Sequence, residues 1–257
     1  MKYIAYESMD AFFASASEKL HVYVPVDTAE GKSSYKLWEK GTAVSKALHT
    51  TRSAKDFFFP QTENLVEFRM NGKSIEIIDP RSETEDFAVF GVKACDAKSF
   101  EILDSVYLAD PVDSYYKARR EHGLILSMTC ARPSETCFCT AFGIDAAAPA
   151  GDVVFTDTGC GYCVEAKTEK GENFLASLDG VFTETDEQTR DDAQAKTRAV
   201  MEKLPLAKLG TSSFGGGKTE ALFNRPEWDD LSEACLACGP CSFVCPTCQC
   251  YDIKDYD

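Results

Sequence analysis

Twelve of the 257 residues are cysteines, and their spacing is where this sequence carries chemistry. The first 94 positions hold none, six lie between 95 and 163, and six crowd into 235–250. The last group contains Cys235, Cys238, Cys241 and Cys245-Pro246, a C-x2-C-x2-C-x3-C-P run of the kind bacterial ferredoxins use for [4Fe-4S] clusters. Three thiolates spaced by two residues can reach three corners of one cubane from a tight loop. Small residues between them, Ala237 and Gly239, let backbone N–H groups approach sulfur, and Pro246 turns the chain away. In two-cluster proteins the fourth Cys of such a run ligates the other cluster. A local fourth ligand would be Cys245, Cys248 or Cys250, and a partner chain is the alternative source. Zinc also takes four cysteines, usually as two separated C-x2-C knuckles. Cys238-Gly-Pro-Cys241 spells the thioredoxin tetrapeptide, which requires an isolated pair after a strand. The continuous run favours iron–sulfur over both.

A second constellation is Cys95, Cys130, Cys137 and Cys139. Cys95 sits between a predicted strand, Phe87–Val92, and a helix expected to start at Asp96 as N-cap. Cys130 follows the strand pattern Gly123–Met128, and Cys137 and Cys139 lie in the loop after it. Strand ends and a helix N-terminus converge on one edge of an α/β sheet, where ligand sites form. Such a terminus favours thiolates, and Lys93 and Arg132 flank the group. These four are expected to ligate another [4Fe-4S] cluster, with a zinc site or buried free thiols as the alternatives. Cys160 and Cys163 form C-G-Y-C, readable as a redox dithiol, as extra ligands or as incidental thiols on a turn.

The elements that must position these residues read as a mixed α/β fold. Further strands are expected at Ser74–Ile78 and Asp152–Thr156, and a short helix near Glu172–Leu178. The charged stretch Thr185–Leu204 reads as a solvent-facing helix with Thr185 and Gln188 as a capping box. The resulting division is an α/β body over residues 1–180, a polar helix and linker over 181–220, and a ferredoxin-like [4Fe-4S] module over 221–257. SSFGGGKT falls short of a phosphate-binding loop, because Ser212 stands where the pattern needs Gly. The three histidines form no metal-type pair, and no G-x-G-x-x-G is present. The net charge of -15 excludes the basic footprint of a nucleic-acid binder. No apolar run reaches the roughly 18 residues of a membrane span. No signal-peptide core follows Met1, so a cytoplasmic, thiol-reducing setting is expected.

The blocks KDFFFPQTE (Lys55–Glu63), FGVKACDAKSFEILD (Phe90–Asp104), DSYYKARRE (Asp113–Glu121), C-x6-C-F-C (Cys130–Cys139) and the Cys run after Trp228 bring a family into view. The chain resembles the iron–sulfur beta subunit of cytoplasmic sulfhydrogenases and the A-type subunit of anaerobic sulfite reductase. The resemblance covers most of the chain. It implies an electron-transfer role between a flavin-containing subunit that oxidises NAD(P)H and a hydrogenase or sulfite/sulfur reductase subunit. The resembling proteins carry a second ferredoxin run. This sequence shows one, and Asp257 comes twelve residues after Cys245.

Overall fold

Short runs of β-branched and aromatic residues, such as FAVFGV, GLILSM and VVFTD, are apolar on both faces and read as strands buried between helices. The computed structural model describes residues 1–178, 180–251 and 253. The end of the predicted ferredoxin-like module, residues 252 and 254–257, therefore lies outside the described residues. The strands are β1 (Lys2–Ala5), β2 (His21–Asp27), β3 (Ser33–Leu37), β4 (Glu67–Asn71), β5 (Ser74–Ile78), β6 (Phe87–Val92), β7 (Gly123–Met128), β8 (Val153–Asp157), β9 (Gly161–Ala166) and β10 (Thr183–Glu184). The helices are α1 (Met9–Ser17), α2 (Ala94–Tyr107), α3 (Ser114–His122), α4 (Glu169–Ala176), α5 (Glu187–Met201), α6 (Glu227–Ser232) and α7 (Pro240–Phe243).

Eight strands form one mixed sheet in the order β10-β1-β9-β8-β7-β6-β2-β3. Its centre, β8-β7-β6-β2, is parallel, and antiparallel strands flank it on both sides. The mixed α/β expectation holds for this body. Ser74–Ile78 is a strand, but it pairs with β4 in a separate hairpin. Phe68 and Met70 lie opposite Ile77 and Ile75 there, so four apolar side chains share one exposed face.

Alternation along the central strands divides the core between the two sheet faces. Leu124 and Leu126 of β7 join α1 and α4 around Phe12, Phe155 and Phe174, whereas Ile125 joins α2 and α3 around Phe58, Phe100 and Tyr116. In β6, Phe87 and Val89 face α2 while Ala88 and Phe90 face α1. Val92 then faces α2 again, a slip in phase at Gly91. Gly91 has φ +86° and the β6–β7 register shifts there, so the strand ends in a bulge.

Two helix starts differ from expectation. α2 begins at Ala94 with Lys93 at its N-cap, which puts Cys95 inside the first turn rather than before the helix. Asp96 does not cap it, because its carboxylate accepts hydrogen bonds from Ser53 and the Ala54 N–H of another segment. α5 is capped by Asp186, which accepts from Thr189 N at 2.8 Å, and not by Thr185 with Gln188. Ala193, Thr197 and Met201 recur every four residues and bury one α5 face. Residues 212–217 form turns and bends.

Asp152 ties β7, β8 and α4 together. Its buried carboxylate accepts from Ile125 N at 2.8 Å and Thr168 Oγ1 at 2.7 Å. Gly171 packs so closely behind it that an added Cβ would stand 2.1 Å from the Asp152 carbonyl oxygen. Gly171→Ala is therefore expected to cost about 1–3 kcal/mol of stability, read as a lower urea midpoint, because backbone must move. An unchanged midpoint contradicts this packing.

Candidate functional site

β6, β7 and β8 run parallel, so their C-terminal ends open onto one edge of the sheet. The bulge at Gly91 aims Lys93 and the first turn of α2 at that edge. Cys130 lies two residues beyond β7, where its N–H donates to Ala146 O at 2.9 Å. The loop that follows brings back Cys137, whose N–H donates to Ser134 O at 3.1 Å, and Cys139, which opens a 3-10 turn. Gly143 closes that turn at φ +70°, a conformation glycine adopts without penalty.

These segments carry the four body cysteines to the same edge of the sheet, all of them half-buried, but among the described residues no three of them are close enough together to hold a metal ion. Cys95 and Cys139 lie near enough for their thiols to perturb one another. Cys130 lies within electrostatic reach of Cys137, Cys139 and Lys93. Their mutual interaction pulls the Cys139 thiol down to about 6 and, with burial, pushes Cys95 well above the usual thiol range. Burial also raises Cys130, against the pull of Lys93. Lys93 is itself lowered by burial, and its ammonium donates to Met128 Sδ at 3.3 Å.

The C-terminal run is arranged differently. Cys235, Cys238 and Cys241 are exposed, while Cys245 and Cys248 are half-buried. The backbone is left-handed at Ala237, φ 52°, and at Gly239, φ 74°. Left-handed backbone costs a residue with a Cβ about 1 kcal/mol or more. The Ala237 N–H donates to Cys235 Sγ at 3.4 Å. Among the described residues, no three His, Cys, Asp or Glu side chains stand in an arrangement that already holds a metal ion. No strand leads into Cys238, since the last one before it ends at Glu184, so Cys238-Gly-Pro-Cys241 lacks a thioredoxin setting. Cys160 is exposed and hydrogen-bonded to Tyr3 at 3.3 Å, whereas Cys163 is buried in β9.

Two features were not legible in the sequence. The first is Lys55. Only 6% exposed, it donates to the carbonyls of Cys245 at 2.8 Å and Cys248 at 3.2 Å. Tyr107 adds a hydrogen bond to Gln249 O at 3.0 Å, and Arg52 stacks over Phe243 at 5.8 Å. A buried lysine needs partners, and the tail's carbonyls supply them. The second is a cavity of about 820 Å³ at the sheet edge. Cys95 and Cys130 line it, and so do Val244 and Pro246 of the C-terminal run. Two body cysteines and two residues flanking Cys245 therefore border a common space.

The thiol pair gives a pH test in the iron-free chain. A thiol depressed in the folded state is thiolate above its own value, so Cys139 should alkylate with a midpoint near pH 6. Cys95→Ala removes the neighbouring thiol and should move that midpoint upward, as followed by mass spectrometry of iodoacetamide adducts. A wild-type midpoint near that of an ordinary thiol contradicts the pairing.

No family model and no solved structure matches the chain. A curated relative does: the chain is 31% identical over 262 positions to sulfhydrogenase 2 subunit beta of Pyrococcus furiosus, covering 99% of this chain and 75% of the relative. With the match covering 99% of the chain at 31% identity, this protein belongs to the sulfhydrogenase beta-subunit family.

Proposed function

We propose that this chain is an iron–sulfur electron-transfer subunit of a multi-subunit oxidoreductase. Its partners in this reading are a flavin-containing reductase subunit of the NAD(P)H type and a hydrogenase or sulfur/sulfite reductase subunit. The observation that carries the proposal is the shared cavity edge: Cys95 and Cys130 of the body and Val244 and Pro246 of the C-terminal run border the same space. Electron transfer needs redox sites close together, and Lys55 ties the two segments to one another.

The donor sets suit [4Fe-4S] clusters. In the body, Cys95, Cys130, Cys137 and Cys139 would be the ligands. Lys93 offsets negative charge, and the first turn of the fourteen-residue α2 offers backbone N–H groups to sulfur. In the tail, Cys235, Cys238, Cys241 and Cys245 would be the ligands, and the Ala237 N–H already points at a sulfur. A bound cluster supplies one-electron chemistry at a potential tuned by hydrogen bonds to sulfur, burial and nearby charge. The chain's own residues supply those levers. Lys93 would raise the local potential, and the α2 amides would stabilise charge on sulfur.

Membership of the family supports a role within a complex, since the relative is named as a subunit. Exposed apolar surface supports it too. Phe68 and Ile77 on the hairpin, and Phe223 and Leu236 near the cysteine run, are each more than two-thirds exposed. Surfaces of this kind mark protein contacts. Among the described residues no helix is long and apolar enough to cross a membrane.

Anaerobic purification with metal and sulfide analysis tests the reading. Iron and acid-labile sulfide in equal amounts, with broad absorbance near ~400 nm, are expected. Cys95→Ala and Cys238→Ala should each remove roughly one cluster's iron, about four atoms per chain, and the double variant should remove both amounts. Stoichiometric zinc without iron overturns the proposal.

A further inference from the structure

The cavity at the sheet edge is larger than the cysteines require. At about 820 Å³ it falls in the upper part of the range of organic ligand pockets, about 300–1,000 Å³. Cys95 and Cys130 line only one end, past β6 and β7. The opposite end is lined by Tyr6, which follows β1, and by Tyr162 of β9. From β6 to β1 the sheet order crosses four strand spacings. At about 4.8 Å each, that is roughly 19 Å between the strand axes, while the Tyr162 ring reaches back to within 6.5 Å of Phe90 on β6.

The far end is aromatic. Tyr6 and Tyr162 meet edge-to-face at 5.1 Å, and Phe13 and Phe90 line the wall beside them. The Tyr6 hydroxyl donates to Asp157, and Gly159 N donates to the same carboxylate at 2.8 Å, so Tyr6 is held in place and Asp157 is satisfied. Residues 41–51 form an irregular wall with no helix or strand. It is pinned where Ser45 N donates to Pro25 O and Thr51 N to Ser33 O, both at 2.7 Å.

The charges around the cavity run against those of the chain. In a protein of net charge -15, Lys46, Lys93 and Arg132 all border this one space. None of the three forms an ion pair among the described residues, whereas most other arginines do. Of the carboxylates there, Asp157 and Asp96 are already held by hydrogen bonds, and Asp10 remains.

We infer that this cavity binds a planar aromatic anion of mononucleotide size, its ring against Tyr6 and Tyr162 and its anionic group toward the unpaired cations. Aromatic walls favour a flat ring by stacked or edge-on packing. Cations without a carboxylate partner favour phosphate or carboxylate over neutral groups. The occupant is separate from any cluster on the cysteines and adds a small-molecule site to the relay.

Flavin mononucleotide is the probe, because its ring fluorescence reports burial directly. Titrated into the anaerobically purified full chain, it should be quenched saturably at one equivalent. Riboflavin, which has the ring without the phosphate, should bind at least about 10-fold more weakly. Inorganic phosphate alone should not compete. Lys46→Ala, on the exposed wall, and Tyr6→Leu should each weaken flavin mononucleotide binding about 5-fold or more while iron content stays constant. Absence of saturable quenching up to millimolar probe, equal affinity for riboflavin, or unchanged affinity in both variants overturns the inference. Iron measured on the same samples separates the two readings: iron without flavin binding removes this site and leaves the relay, and flavin binding without iron does the reverse.

Discussion

The arrangement of the whole molecule depends on where one buried ammonium finds its acceptors. Lys55 lies beneath the α2 face of the sheet and has no carboxylate partner among the described residues. Its hydrogen bonds go to two backbone carbonyls of the cysteine run, 190 and 193 residues further on. Hydrogen bonds from a charged donor contribute about 1.5–3 kcal/mol, and leaving a buried charge unpaired costs more. The tail is thus held to the body at Cys245 and Cys248, next to the cavity edge where Cys95 sits.

The sequence blocks around that lysine interlock. Phe58 of KDFFFP packs on Phe87 and Phe100, and Arg120 of α3 stacks over the same Phe58 and Phe100. Arg120 also forms two hydrogen bonds of 2.8 Å to Asp104 of α2, which accepts a third from Tyr116 at 2.6 Å. Arg119 reaches Glu63 at 2.6 Å. Burial and the Asp104 carboxylate drive the Tyr116 phenol far above its usual range, so it remains a neutral donor. Blocks that look like separate motifs in the chain therefore make one bracket, which fixes α2 and with it Cys95.

Much of this was readable in advance where local pattern and tertiary demand agree. β6, β7 and β8 are short apolar runs, and each lies within a residue of its expected place. Cys130, Cys137 and Cys139 fall in the loop after β7 as expected, because the run GLILSM leaves little choice of strand. Agreement fails where a distant segment takes a side chain. Asp96 is a good N-cap by type, but Ser53 and Ala54 engage its carboxylate and α2 starts earlier. At α5, Asp186 outcompetes the Thr185–Gln188 box because its carboxylate reaches Thr189 directly. The cavity wall over residues 41–51 has no periodicity to read, since it is held by two backbone hydrogen bonds to β2 and β3. Lys55 was visible only as part of a familiar block. A lysine separated by one residue from three consecutive phenylalanines is the signal that could have marked it as buried.

The central claim is that two cysteine sites are held side by side for electron transfer. Electron paramagnetic resonance of the dithionite-reduced full chain tests it most directly. Neighbouring reduced clusters couple magnetically, so the account predicts a broadened, interacting spectrum in the wild type. Cys95→Ala and Cys238→Ala should each give a simple isolated signal. A wild-type spectrum equal to the sum of those two isolated signals would contradict it.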